Sequence, residues 1–555
     1  MNVASLVLER ARSEPDAPAI FFPAGRRDGD RVRYEHVTNG QLDAESDWIA
    51  RGLEEVGIGR GVRTALMVRP GLDLFALTLA LFKLGAIPVI VDPGLGLARL
   101  RSCLAEAEPE AFIGIPSAQA ARIAFRWARA TLRVAVTVGR RWLWGGPTLA
   151  ELRERGRSDE PYPLAETRDE DEAAILFTSG STGPPKGVVY RHGNFAAQIE
   201  AIRGLGTLEK GEVDLPTFPL FALFDPALGM TAVVPEMDPT RPGDVDPRRI
   251  IEAAEEFGAT NLFGSPALLD TVGRYGAEHG VRLSSLRRVI SAGAPVPAEV
   301  MERFLRMLPE GAEVLTPYGA TECLPVACIS SREVLAETGA RSEQGAGVCV
   351  GAPVPSIELR IIVVRDEPIA TWHASLEQPR GEVGEIVVRG PQVTEGYYKR
   401  PEANALAKIA DRDGGLWHRM GDLGYLDTQG RLWYCGRKSD RVMTAQGTLY
   451  TIPCEAVFDT HPRVRRTALV GIGGAGAQES VLCVELPVSE KAANRAEVTG
   501  ELLEIGARHA HTRSIRRVLF HPRFPVDIRH NAKIGRPELT RWAAGQLAAR
   551  GKAAR

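Results

Sequence analysis

A run of small hydroxylated residues and glycines, Thr178-Ser179-Gly180-Ser181-Thr182-Gly183, is followed by Pro184-Pro185 and then Lys186. Ile175-Leu176-Phe177 before it and Val188-Val189 after it are apolar and fit buried strands. Glycines let the backbone turn so that successive N–H groups converge on one point, and such nests bind anions. The hydroxyls add neutral donors, and Lys186 adds a point charge suited to phosphate. A Walker A loop is excluded, because G-x-x-x-x-G-K-[ST] cannot be laid over the run and no helix pattern follows it. The competing reading is a flexible Gly/Ser hairpin. So dense a run of hydroxyls and glycines between two apolar strands favours phosphate binding.

The elements that must hold such a loop are legible around it. Helical spacing of apolar residues over 41–57 and from Leu74 to Leu84 predicts two helices. Gly85 ends the second, and Ile87-Pro88-Val89-Ile90-Val91 reads as an interior strand. The alternation returns at Ile250 to Glu256 and Thr260 to Gly264, and again at Val289 to Gly293 before a helix from Ala298 to Leu308. This grammar predicts an α/β architecture with parallel sheets. Residues 157–172 and 365–382 read as surface connectors. From about Leu416 a β-hairpin turning at Thr428-Gln429-Gly430 is expected. The polar run Arg437-Lys438-Ser439-Asp440-Arg441 after it marks a boundary between domains 1–437 and 438–555.

Bulk properties narrow the class of function. The 68 Lys and Arg against 70 Asp and Glu give a net charge of −2, which argues against a dedicated nucleic-acid binder. The seven cysteines form no C-x-x-C pair and no zinc-site spacing with histidine. The most apolar stretch, Leu74 to Phe82, is far short of a membrane span, and the N-terminus lacks the apolar region of a signal peptide. A cytoplasmic protein without a transmembrane segment is expected.

The loop resembles the phosphate-binding loop of the adenylate-forming superfamily of acyl-CoA synthetases, luciferases and peptide-synthetase adenylation domains. Five further motifs follow in that family's order. Tyr318-Gly319-Ala320-Thr321-Glu322 is similar to Y-G-x-T-E, and the resemblance implies that Tyr318 lies against adenine, Thr321 meets the α-phosphate and Glu322 holds Mg²⁺. Gly381-Glu382-Val383-Gly384-Glu385 with Gly396-Tyr397-Tyr398 is similar to G-E-x-G-E…G-Y-Y. His418-Arg419-Met420-Gly421-Asp422 and Gly436-Arg437-Lys438-Ser439-Asp440 imply ribose contacts from Asp422 and Arg437 and a hinge at Ser439. Asn531-Ala532-Lys533-Ile534-Gly535-Arg536 implies that Lys533 is essential for adenylation. The implied cofactors are ATP and Mg²⁺. The implied fold is a large N-terminal adenylating domain of packed β-sheets with surrounding helices, plus a small, mobile α+β C-terminal lid.

Departures from the family pattern bear on the reaction. Ala222 stands where many acyl-CoA synthetases carry histidine, in the apolar run Phe218-Pro219-Leu220-Phe221-Ala222-Leu223-Phe224-Asp225. Phe221, Ala222, Phe224 and Asp225, together with Gly293, are the expected acyl pocket. Pro453 and Glu455 fall one residue late against G-x-x-V-x-P-x-E, and Pro525 to Lys533 replaces P-x-T-x-x-G-K. These features resemble one subgroup, the olefin β-lactone synthetases of bacterial hydrocarbon biosynthesis. The implied substrate is a long-chain 2-alkyl-3-hydroxyalkanoic acid, activated as its acyl-AMP and closed by its own hydroxyl, with other enzymes of the olefin pathway as possible partners. The alternative is a long-chain acyl-CoA or acyl-carrier-protein ligase. For removal of the hydroxyl proton, Asp225, His192 and the AMP phosphate itself stay open.

Overall fold

The computed structural model describes residues 1–177, 184–206, 208–487, 494–526 and 534–553. The chain is an α/β protein built on two major sheets and a smaller terminal unit. One sheet has six strands, in the order Val134–Thr137, Ala111–Gly114, Arg63–Met67, Ile87–Val91, Glu172–Phe177, Gly187–Arg191. Every neighbouring pair in it is parallel except the last. Its strands are apolar runs because helices cover them. The helix Leu72–Leu84 is apolar almost all round and is buried. Its one basic residue, Lys83, is 1% exposed and lies 2.5 Å from the Asp47 carboxylate, with Asp43 as a second partner.

The second sheet has 14 strands. Val213–Pro216, Asn261–Phe263, Arg288–Ile290 and Glu313–Ala320 run parallel in it. Beyond Glu313–Ala320 it becomes antiparallel, through Cys323–Ser330, Val348–Pro353, Leu432–Arg437, Leu416–Leu426 and Gly384–Arg389. The expected hairpin is therefore present, with Leu416–Leu426 paired to Leu432–Arg437. Two expectations need adjustment. The helix from Ala298 ends at Leu305, three residues early. The 365–382 connector is not wholly superficial: Ile369 and Leu376 are buried, and Trp372 stacks on Trp417 at 4.5 Å. Its apolar residues cover the outer face of the sheet there.

Among the described residues, no strand after Arg437 pairs with a strand before it. The terminal residues form a sheet of Arg466–Ile472, Glu479–Glu485 and Arg517–Phe520, packed with helices Thr451–Asp459, Arg495–Ala507 and Arg536–Ala553. Gly436, at φ 116°, allows the close approach of this unit: a Cβ there would stand 2.5 Å from Thr451 Oγ1.

Candidate active site

Antiparallel register assembles the first cluster. Asp422 and Arg437 are cross-strand partners in the hairpin, and the Arg437 guanidinium lies 3.1 Å from Asp422 Oδ1. Gly421, at φ 66°, takes the left-handed conformation immediately before Asp422. Tyr318, on the neighbouring part of the sheet, donates its phenol to Asp422 Oδ2 at 2.6 Å. Asp422 holds the Arg437 charge firmly in place, raising its pKa. Burial, and then the Asp422 charge, keep the Tyr318 phenol protonated. The result is an acceptor carboxylate flanked by an aromatic ring and a cation, the chemistry that two vicinal hydroxyls beside a planar base require.

A second cluster forms where the strand Glu313–Ala320 turns back into Cys323–Ser330. Tyr397 donates to Glu322 Oε1 at 2.7 Å, and Lys186 Nζ sits 4.7 Å from the centre of the Tyr397 ring. The Glu322 carbonyl accepts from Thr394 N at 2.9 Å and Thr394 Oγ1 at 3.1 Å. Tyr190 donates to the Thr321 carbonyl and is itself met by Gln198 Nε2 at 3.2 Å. The strand after the phosphate-loop sequence is docked here too: Val189 N donates to Gly396 O at 3.0 Å, and Tyr398 N to Gly187 O at 2.8 Å. Beneath lie Lys408, pushed down to about 8 by burial, and His418, held neutral by burial and by Lys408.

The junction carries a third cluster. Glu385 and Arg419, each 1% exposed, pair at 2.6 Å, and Lys438 Nζ lies 2.9 Å from the other Glu385 oxygen. Ser439 and Asp440 follow in a short turn. Past it, Arg536 pairs with Glu455 at 2.6 and 2.8 Å and reaches Asp440 at 3.3 Å.

A cavity of about 3140 Å³ joins these clusters. Lys186, Tyr318, Thr321, Glu322, Asp422 and Arg437 line it, as does Ser439. Phe221, Phe224 and Gly293 line its apolar part, where Phe221 stacks on Phe263 at 4.2 Å. Ala222 and Asp225 are not among the lining residues. Ala222 is fully buried in the core that also contains Leu74 and Ala232. Asp225 is paired with Asp214: burial holds Asp225 well above the usual carboxylate range and pushes Asp214 up to about 7. His192 does not line the cavity either. Its Nδ1 accepts from Val3 N at 3.2 Å, and burial pushes its pKa down to about 4. The expected contacts of Thr178, Ser179, Gly180, Ser181, Thr182, Gly183 and Lys533 lie outside the described residues.

Sequence reasoning missed the supports of these groups. Tyr397 and Glu385 sit in motifs already noted, but nothing in their spacing says that one holds Glu322 and the other Arg419 and Lys438. Glu455 and Arg536 likewise give no sign of being partners across 81 residues.

The AMP-binding enzyme family matches residues 7–398. The chain is 53% identical over 559 residues to an olefin beta-lactone synthetase of Stenotrophomonas maltophilia, covering 98% of each chain. It is 52% identical over 550 residues to an olefin beta-lactone synthetase of Xanthomonas campestris pv. campestris, again covering 98% of each. Its fold is similar to that of the amide bond synthetase McbA from Marinactinospora thermotolerans, with a TM-score of 0.76 at 24% identity, over 98% of this chain and 100% of that one.

Proposed function

The chain belongs to the AMP-binding enzyme family, and from that premise we propose that it is an ATP-dependent ligase converting a long-chain 2-alkyl-3-hydroxyalkanoic acid to a β-lactone. The observation that carries this reading is a cradle for a nucleotide, Tyr318, Asp422 and Arg437, opening into the same cavity as the apolar Phe221 and Phe224. Full-length likeness to two olefin beta-lactone synthetases supports the choice of substrate.

The substrate carboxylate attacks the α-phosphorus of ATP, and pyrophosphate leaves. In this reading the loop 178–183, Lys186 and Thr321 hold the phosphates, and Lys533 supplies positive charge where negative charge shifts in the transition state. Mg²⁺ would be held by Glu322. The donor set fits: one carboxylate, with Tyr397 on one of its oxygens, suits an ion that takes its remaining ligands from phosphates and water. The ion would neutralise phosphate charge. The substrate's 3-hydroxyl oxygen then attacks the activated carbonyl, the C–O–P bridging oxygen departs with AMP, and the four-membered ring closes. Neither Asp225 nor His192 lines the cavity, which favours the departing AMP phosphate as acceptor of the proton. An oriented internal nucleophile has an effective molarity of roughly 10⁵ M or more, so no second substrate is needed. Residues 438–555 act as a lid that turns at Ser439. The enzyme works in the cytoplasm, between an enzyme that supplies the hydroxy acid and one that consumes the lactone.

Incubation with ATP, Mg²⁺ and a 2-alkyl-3-hydroxy acid, with and without coenzyme A, tests this. Lactone in the absence of thiol is expected. Acyl-AMP that waits for added thiol would instead assign a thioester ligase.

A further inference from the structure

In the six-stranded sheet, the strands ending at Met67, Val91, Gly114, Thr137 and Phe177 are mutually parallel. Their C-terminal ends therefore form a row along one edge. Strand order places the end of the strand at Phe177 four strands from the end at Thr137, or about 19 Å at ordinary strand spacing. The large cavity follows this row. Met67 and Arg69 line it from one loop, Leu95 and Arg99 from the next, and Ile115 and Ser117 from a third. Arg69, Arg99 and Ser117 are exposed and also line the cavity at this edge.

At that edge stands the loop Val138 to Pro147, with the sequence Arg140-Arg141-Trp142-Leu143-Trp144. Leu143 is 104% exposed and Trp142 60%, the two highest values among the large hydrophobic residues described as exposed. Leu97, three strands along the same row, is also exposed. The Trp142 loop is anchored and its tip projects. Trp144 Nε1 donates to Thr137 Oγ1 at 2.9 Å, Arg141 donates to Gly146 O at 2.7 Å, and the Trp142 and Trp144 rings are 5.3 Å apart. An anchored loop gains nothing within the fold from showing water a leucine and a tryptophan.

Charge adds a second, independent sign. The loop Val138 to Pro147 carries Arg140 and Arg141 and no aspartate or glutamate, and Arg69 and Arg99 line the cavity along the same row. Acids near this edge meet partners there. Glu151 pairs with Arg141, Asp73 with Arg153, and Asp92 accepts from Gly94 N within its own loop. Arg69, Arg99 and Arg140 remain exposed.

We infer that this edge docks on an anionic bilayer, with Trp142 and Leu143 entering the interface, the exposed arginines against lipid phosphates, and this end of the cavity turned toward the membrane. Aromatic and aliphatic side chains on the same edge as arginines suit the headgroup boundary, and basic residues near an anionic leaflet add attraction that salt screens. Docking would let a long-chain acid pass from lipid to the site without crossing water; this delivery step rests on the proposed substrate, whereas the docking itself does not.

The test is sedimentation of the full chain with vesicles of phosphatidylcholine, alone or mixed with phosphatidylglycerol. Wild type should pellet with the anionic vesicles and mostly stay in solution with the neutral ones. The double variant Trp142→Asp/Leu143→Asp should lose about tenfold or more in partitioning, and Arg69→Ala/Arg140→Ala about fivefold, with a weaker dependence on salt. Both pairs are exposed, so a circular dichroism melt should match wild type. The Trp142→Asp/Leu143→Asp enzyme should also release pyrophosphate from a water-soluble short-chain hydroxy acid at the wild-type rate, yet be slowed with acid presented in vesicles. Wild type that stays in solution with anionic vesicles, or a double variant that pellets like wild type, overturns the inference. So does a dimer in light scattering that the same variant dissociates in place of any vesicle binding. Vesicle docking without lactone formation would keep this inference and sink the proposed reaction.

Discussion

The Glu385–Arg419–Lys438 cluster and the Arg441–Asp366 pair stand on either side of Ser439, and they are built in opposite ways. Glu385 and Arg419 are each 1% exposed, and Arg419 further donates to Glu367 O at 2.9 Å and Leu406 O at 3.1 Å. Arg441 meets Asp366 at 2.5 Å, but that carboxylate is 60% exposed. Burial makes the first cluster costly to open, because a removed partner leaves a charge unpaired away from water. The second is cheaper to open, because water can replace the exposed Asp366 carboxylate while Arg441, 11% exposed, keeps its bond to Lys438 O at 2.7 Å. The chain is thus clamped at Lys438 by a buried cluster and tied at Arg441 through an exposed carboxylate, while Arg536 pairs with Glu455 within the terminal unit. The proposed turning point at Ser439 thus lies between a buried ionic cluster and a pair whose carboxylate is exposed.

Each side of that contrast can be tested. The largest effect is expected from Glu385→Ala, which strands Arg419 and Lys438 and should cost about 3–5 kcal/mol of stability by urea unfolding. A loss below 1 kcal/mol would mean that the clamp is not what holds this side. Lys533→Ala should slow pyrophosphate release roughly 10²–10³-fold and leave the melting temperature near wild type; unchanged release would remove Lys533 from the chemistry. Ser439→Pro fixes one backbone torsion at the turn and should lower turnover about tenfold. Wild-type turnover in that variant would place the turning point elsewhere. Asp366→Ala should change stability by no more than about 1 kcal/mol, and a larger loss would erase the contrast between the two sides.

The smallest effect concerns pH. The Asp214–Asp225 pair has folded-state pKa values raised above the ordinary carboxylate range. The folded chain therefore keeps protons that the unfolded chain has released, and the pair's contribution is full at low pH and declines as pH rises toward 7. Asp225→Asn abolishes one of these titrations, so its stability should fall less than that of wild type between pH 5 and pH 7. Parallel curves would show that the pair titrates normally.

Much of the architecture was legible in the sequence because its signals are local. The apolar helix before Gly85, the strand Ile87–Val91 and the hairpin turning at Thr428-Gln429-Gly430 each announce themselves within a dozen residues. Asp422 and Arg437 were legible as individual motif residues, and the hairpin register then explains why they meet. The acyl side was less legible. The run Phe221-Ala222-Leu223-Phe224 looks uniformly apolar, yet Phe221, Leu223 and Phe224 line the cavity around the short helices Pro219–Ala222 and Asp225–Leu228, while Ala222 lies in the core and Asp225 is buried. Pairings such as Arg536 with Glu455 were invisible, because charge attraction across 81 residues leaves no periodic trace.

The most direct test of the central claim is to follow heavy oxygen from the substrate carboxylate without any thiol present. Attack on the α-phosphorus and closure by the substrate's own hydroxyl must leave one labelled oxygen in AMP and one in the lactone carbonyl, with the unlabelled hydroxyl oxygen in the ring. Unlabelled AMP, or a product that forms only when a thiol is added, would contradict the account.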